Sequence, residues 1–414
     1  MARDARRLMA RDARADAPPL AFAIAAPGLA PYVAAELAGL GLEPLAVEPA
    51  GVAFTGTAEA LLRANCHARL ASRVVLRLAT FEARDFATLE REARRVPWGR
   101  VLAADCTAAL SVTCRKSRLY HSEAVAERVG RAIALAVPGA EAEVAAAEGE
   151  DALDETHSQR RVQRVLVRFE RDRCTISADA SGALLHRRGW RLESGKAPLR
   201  ETLAAALLVA SGWPADVPLV DPMCGAGTIA IEAALRVRCI APGLSRTFAC
   251  EQWPGADAAL AARVRAEARA AVRPSAPAAI VAADRDTGAI AATTANAERA
   301  GVLADLTIVQ RPLSDTTLAD LGAQGWLVTN PPYGIRTGNP ATLAALWGRL
   351  GAVVRAGGPG WTLASVVPDP ALARELRLPL ETVLTTTTGG RPIAFVRSRA
   401  RQAALLPMRQ RSEQ

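Results

Sequence analysis

Apolar residues recur along this chain in two ways. Short unbroken or alternating runs read as strands, and runs with apolar positions three and four apart read as helices. From Leu20 the order is a strand (Leu20 to Ala25), a loop through Pro27 and Gly28, and a helix near Tyr32 to Leu40. Strands near Pro44 to Val47 and Val52 to Thr55 follow, then a helix over Ala58 to Arg69. This β-α-β-β-α order predicts a small ferredoxin-like unit. A second α+β segment runs from about Val74 to Ala180, with strands at Ala109 to Cys114, Gln163 to Phe169 and Arg173 to Ala178. Its helix, Glu123 to Ala136, is expected to start behind Ser122 as the N-cap. The polar stretch Glu148 to Arg161 reads as a flexible connection.

Beyond Ala197 the pattern changes to strands alternating with helices. A helix to about Ala210 leads to a strand at Val217 to Val220 and a helix at Ile229 to Leu235. A strand at Ala279 to Ala283 then ends on Asp284, and a helix (Thr287 to Ala300), a strand (Leu306 to Gln310) and the strand Trp326 to Val328 follow. Such alternation predicts the α/β class with a doubly wound parallel sheet. The stretch from Arg236 to Pro277 is too long for a simple crossover and is expected to add a helix of its own.

In open α/β sheets ligands bind at the carboxyl ends of the strands, and two such ends carry polar chemistry here. One is Thr329-Asn330-Pro331-Pro332-Tyr333-Gly334. Successive prolines cannot donate ladder hydrogen bonds, so the sheet stops and Asn330 is held extended. The Asn330 side-chain oxygen and the Pro331 carbonyl are then acceptors at a fixed spacing, with Tyr333 as a flat face beside them. That combination suits an exocyclic amine on a nucleobase. An ordinary strand-to-loop turn is the competing interpretation of the same residues.

The other end is Asp221-Pro222-Met223-Cys224-Gly225-Ala226-Gly227-Thr228. Gly225 and Gly227 permit a tight turn and close approach of a ligand to the backbone. A carboxylate at Asp221 would repel a pyrophosphate but suits the ammonium end of S-adenosylmethionine. Asp284 is placed to accept from ribose hydroxyls, although it or Asp286 is also an N-cap for the next helix.

Composition narrows the class. At 414 residues the chain has room for two or three domains. A net charge of +9 and a pI near 9.7 favour an anionic partner such as nucleic acid. Arg115, Lys116 and Arg118 before a helix, and Arg187, Arg188 and Arg191 around Trp190, are candidates to hold RNA phosphates. A solvated loop and a hinge are the plainer alternatives for these two clusters. Seven cysteines without a C-x-x-C pair read as reduced thiols of a cytoplasmic protein, and with only four histidines no metal site is expected. No apolar run approaches membrane-spanning length. Residues 1–19 contain a near-duplication at Met1 to Arg6 and Met9 to Arg14, and are expected to be a disordered tail, with Met9 an alternative start.

Taken together, the order and spacing of these motifs resemble the THUMP-domain class I adenosylmethionine-dependent RNA methyltransferases, most closely the bacterial large-subunit rRNA guanine-N2 enzymes, over about residues 20 to 400. The resemblance rests on Asp221 to Thr228, Leu185 to Arg191, the Ala197 to Leu208 helix, Ala241-Pro242-Gly243-Leu244, and Asn330 to Gly334. It implies a ferredoxin-like domain at 20–75, a THUMP RNA-binding domain at 76–180, one Rossmann-like catalytic domain at 181–400, and a C-terminal tail at 401–414.

Carried over by position, the resemblance implies that Pro198, Arg200, Glu201 and Thr202 flank the cofactor. Asp221, Met223, Cys224, Gly225, Gly227 and Thr228 then hold its methionine end, and Asp284 its ribose. Asn330, Pro331 and Tyr333 hold the target base, with Asn330 also bordering the cofactor. One departure stands out: the usual acidic residue after the third strand is replaced around Arg311-Pro312, leaving Ser314 or Asp315 as substitutes. The implied reaction is methyl transfer from S-adenosylmethionine to guanosine N2 in RNA, with 23S rRNA first. The alternatives are tRNA guanine-N2, adenine-N6, and an inactive RNA-binding protein.

Overall fold

The computed structural model describes residues 18–145, 161–193, 199–333 and 340–399. Most of both expected tails and of the expected connection, together with Pro198 and Gly334, lies outside the described residues. The chain divides into two compact units, one comprising residues up to Gly189 together with Cys239–Arg273, the other Trp190–Arg238 together with residues from Pro274 on.

In the first unit the elements are β1 (Leu20–Ala25), α1 (Ala30–Gly39), β2 (Pro44–Glu48), β3 (Gly51–Thr55), α2 (Ala58–His67) and β4 (Ala71–Glu82). Then come α3 (Phe86–Arg94), β5 (Cys106–Arg115), α4 (Ser122–Ala136), β6 (Glu141–Val144), β7 (Arg161–Glu170) and β8 (Arg173–Asp179). The strands form one sheet in the order β2-β3-β1-β4-β8-β7-β5-β6. β4 joins its two halves. Ala71 to Arg77 pair with β1, while Val75 to Glu82 pair with β8, so the boundary expected near residue 75 falls inside a shared strand. Across that junction Arg73 pairs with the buried Asp179. The start of α4 differs from expectation: Ser122 is its first residue, and His121 stands at the N-cap without a side-chain cap bond. Thr57 does cap α2, accepting from Ala60 N at 3.1 Å.

The chain continues with α5 (Glu201–Ala210), β9 (Leu219–Asp221), α6 (Thr228–Val237), α7 (Ala258–Ala270), β10 (Ile280–Asp284), α8 (Thr287–Arg299) and β11 (Leu306–Gln310). It closes with β12 (Gln324–Thr329), α9 (Pro340–Ala356), β13 (Gly360–Val367), α10 (Pro370–Glu375), β14 (Leu380–Thr388) and β15 (Arg391–Ser398). The second unit is built on a sheet in the order β11-β10-β9-β12-β13-β15-β14, parallel except where β15 pairs antiparallel with both neighbours. Its core holds Leu327, Leu350 and Leu363, all fully buried, beside Trp347 and Trp361. Each such leucine contributes about 1.5–3 kcal/mol relative to an exposed position. The strand order reverses between β9 and β12, and a crevice opens at such a switch point.

The expected extra helix is α7, and it belongs to the first unit. Ala261, Val264 and Ala268 on it are buried. Arg63 reaches Glu267 at 2.6 Å and Arg263 reaches Glu59 at 3.0 Å across the contact with α2. Where the inserted segment begins, Gly243 N donates to Cys66 O at 2.8 Å. A Cβ at Gly243 would stand 2.7 Å from Asn65 O, so this approach requires glycine.

Candidate active site

Parallel pairing of Trp326 with Leu219 and Leu327 with Val220 brings the ends of β9 and β12 side by side. The Thr329 hydroxyl donates to Asp221 Oδ1 at 2.8 Å, and Met223 N donates to the same oxygen at 3.3 Å. The two strand ends singled out in the sequence therefore open on one edge of one sheet. Asp221 is 1% exposed. Burial pushes its carboxyl up to about 7, and the neighbouring Asp284 charge adds to this, while the bonds from Thr329 and Met223 oppose it.

The loop after β9 is clamped from both sides. Gly225 N donates to Asp284 Oδ2 at 3.1 Å, and Cys224 N donates to Ala283 O at 2.9 Å. From α8, Thr293 Oγ1 donates to Gly225 O at 2.9 Å and Asn296 Nδ2 to Ala226 O at 3.0 Å. Gly227 has φ +82°, and a Cβ there would meet Thr293 Cγ2 at 2.8 Å. Gly225, at φ +55°, has nothing within 4 Å of the same position, so its backbone borders open space. Thr228 then begins α6, and burial raises the Cys224 thiol, with the contact of its Sγ with Thr293 Oγ1 at 3.5 Å opposing the rise.

Asp284 Oδ1 accepts from Asp286 N at 3.0 Å. The helix cap is Asp286, whose Oδ1 accepts from Gly288 N and Ala289 N. That division leaves Asp284 half-buried with acceptor capacity on both oxygens. After β11, Arg311 N donates to Asp284 O at 2.8 Å, and the exposed Ser314 spends its hydroxyl on Asp315 Oδ1 at 2.8 Å.

At the end of β12, Asn330 Oδ1 is buried with no hydrogen-bond partner among the described residues. A buried acceptor left open costs about 1–3 kcal/mol, so a hydrogen-bond donor brought to it by a ligand would be favoured there. Pro331 is buried and Tyr333 half-buried, with its phenol raised by burial. The Pro332 carbonyl is taken by Trp347 Nε1 at 3.3 Å. An open acceptor, bare glycine backbone and a carboxylate at the neighbouring strand end together fit an adenosyl cofactor beside an amine.

Arg200 precedes α5, and Glu201 and Thr202 are buried in its first turn. Arg191 is tied to this turn, with Nε 3.2 Å from Glu201 Oε1 and Nη1 donating to Leu199 O at 2.8 Å. Arg188 is 3% exposed and donates to Leu185 O and Arg69 O. The guanidinium groups of Arg188 and Arg191, expected to hold RNA phosphates, hold backbone carbonyls and a carboxylate in this structure. Arg187 is half-buried in the first unit. Arg115, Lys116 and Arg118 are exposed at the end of β5, in a loop held by Asp172, which accepts from Arg118 N at 2.7 Å. Thr293, Asn296 and Thr329 escaped the sequence reading as site residues. For the first two the available signal was a pair of polar side chains three apart on an otherwise alanine-rich helix.

The fold and this site define an adenosylmethionine-dependent methyltransferase of the Rossmann-like class. Residues 188–379 match the family described as RMKL-like, methyltransferase domain, and residues 21–75 match the RlmL ferredoxin-like domain. The putative RNA methyltransferase slr0064 of Synechocystis is 32% identical, the alignment covering 91% of this chain and 95% of that one. The chain belongs to this RMKL-like methyltransferase family. The ribosomal RNA large subunit methyltransferase K/L of Syntrophotalea carbinolica is 38% identical over 87% of this chain but 51% of its own length, so the chain spans about half of that relative. Among solved structures, SMU.472, a putative methyltransferase complexed with SAH, aligns with a TM-score of 0.81 at 26% identity, covering 93% of this chain and 99% of that one.

Proposed function

We propose that this chain transfers the methyl group of S-adenosylmethionine to the exocyclic N2 amine of a guanosine in RNA, with large-subunit rRNA as the substrate and the cytoplasm as the place of action. The observation that carries the reading is the buried Asn330 Oδ1, which has no hydrogen-bond partner among the described residues and follows directly on the Thr329–Asp221 bond between the two strand ends. Relatives named for RNA and for large-subunit rRNA methylation support the choice of substrate.

Guanine N2 is a weak nucleophile because its lone pair is delocalised into the purine. Asn330 Oδ1 and the Pro331 carbonyl each accept a hydrogen bond from one of its N–H groups, which favours a pyramidal nitrogen with its lone pair aimed along the transfer direction; the methylated amine sheds one N–H proton to water, and the demethylated cofactor is the leaving group. Tyr333 stacks on the base. The cofactor, when bound, supplies a sulfonium-bound methyl group. Gly225 and Gly227 would hold its methionine end, Asp284 would take its ribose hydroxyls, and buried Asp221 would provide negative charge through the loop. Alignment and polarisation supply the catalysis. Arg115, Lys116 and Arg118 hold RNA phosphates.

Incubating the protein with unmodified rRNA and radiolabelled adenosylmethionine, followed by mass analysis of nucleosides, tests this. N2-methylguanosine is the expected product, and N6-methyladenosine alone would overturn the base assignment. Asn330→Ala should lower turnover by at least about a hundredfold while leaving cofactor affinity nearly unchanged. Undiminished turnover would remove Asn330 from the chemistry.

A further inference from the structure

A cleft of about 590 Å³ lies within the first unit, between the start of α2 and the inserted segment from Cys250 to Arg269. Sites for small organic ligands span about 300–1,000 Å³, so a nucleotide fits. Leu61, Leu62 and Leu76 line it and are 3%, 7% and 2% exposed. Trp253 forms part of a wall. It is half-buried, and its indole N–H donates to Gln163 Oε1 at 2.7 Å, which anchors that edge of the ring.

The charges around the cleft are unequal in their commitments. Glu251 accepts from Arg265 at 2.9 and 2.6 Å and from Phe248 N at 2.8 Å. Asp257 caps α7 through Ala259 N and Leu260 N. Both carboxylates are thereby engaged. Arg100 and Arg269 line the same cleft, are exposed, and have no ion pair among the described residues. Two unengaged guanidinium groups over an apolar floor, with an anchored indole alongside, match the needs of one unpaired nucleotide. The phosphates that flank it suit the two arginines, and its base suits the face of the ring.

We propose that this cleft binds an unpaired nucleotide of the RNA, at a position other than the one delivered to Asn330. The proposal rests on RNA being the substrate. In the bound state Arg100 and Arg269 engage the phosphates on either side of a base held against Trp253.

Fluorescence anisotropy of a short labelled single-stranded RNA with the full-length protein, across roughly 50 to 200 mM salt, tests it. The Arg100→Gln/Arg269→Gln double variant should bind about tenfold more weakly, and its log affinity against log salt should flatten by about 1.4, or about 0.7 per lost single-strand phosphate. Trp253→Leu should weaken binding at least about fivefold with the salt slope unchanged, and Trp253→Tyr should restore most of the loss. Cofactor binding, followed by calorimetry, should be equal in all four proteins and serves as the check on folding. Oligonucleotide binding that is the same in wild type and variants overturns the cleft alone. Absence of binding by wild type overturns the cleft together with the RNA reading.

Discussion

Replacing Thr329 with Val removes one hydroxyl from the junction of β9 and β12 and little else. That hydroxyl donates to Asp221 Oδ1 at 2.8 Å, in a setting where the carboxyl is 1% exposed. A hydrogen bond to an ionised group is worth about 1.5–3 kcal/mol and one to a neutral group about 0.5–1.5 kcal/mol, so the cost depends on the charge of Asp221. The folded carboxyl titrates at about 7, above the value of 3.8 for an unperturbed aspartate. Stability from this group is therefore fully present below the unfolded value and is lost as pH rises through the folded one. Without the hydroxyl the ionised form is less favoured, the folded value moves further up, and the loss continues to higher pH. Chemical unfolding followed by fluorescence should give a destabilisation of about 1 kcal/mol near pH 5.5 and about 2–3 kcal/mol near pH 9. In an Asp221→Asn background the same substitution should show no such widening. A gap that is constant with pH, or that widens equally in that background, would refute the reasoning.

The remaining predictions concern the same unit and its neighbour. Gly227→Ala must adopt φ +82° with a Cβ 2.8 Å from Thr293 Cγ2. It should lose about 2–4 kcal/mol in thermal or urea unfolding and weaken cofactor binding, and a loss below about 0.5 kcal/mol would show that the turn is not constrained in this way. On the proposed reading, cofactor binding brings an ammonium towards Asp221, whose folded carboxyl lies at about 7. Below that pH, calorimetry in buffers of different ionisation enthalpy should show proton release on binding, with affinity rising from about pH 5.5 to 7. Arg188→Gln should lower the stability of the first unit by about 2–3 kcal/mol by melting while leaving RNA affinity of the folded protein unchanged, because that guanidinium is engaged with Leu185 O and Arg69 O.

Much of the catalytic fold was legible because its strands are short buried runs that end on residues a sheet cannot continue through. Leu306–Gln310 is observed as expected, and Asp221, Asp284 and Thr329 each close a strand. The amide of Asn330 was conspicuous for the same reason. Less legible was anything that depends on what a side chain finds across space. Arg188 and Arg191 look like surface cations in a basic run, yet both are consumed by nearby carbonyls or a carboxylate. Thr293 and Asn296 read as ordinary helix positions until the helix is laid against the glycine loop. β4 was missed as a single strand because its two halves serve different neighbours, and periodicity does not report a change of partner.

The inserted segment sets an order on synthesis. Cys239–Arg273 completes the first unit, but it emerges only after residues Trp190–Arg238 of the second have been made. A fragment stopped at Gly189 lacks the partner of α2, and one that starts at Trp190 carries a loop whose apolar face has lost its seat. Neither fragment contains one whole unit and nothing else, so separating the two units means cutting the chain at three places, after Gly189, Arg238 and Arg273.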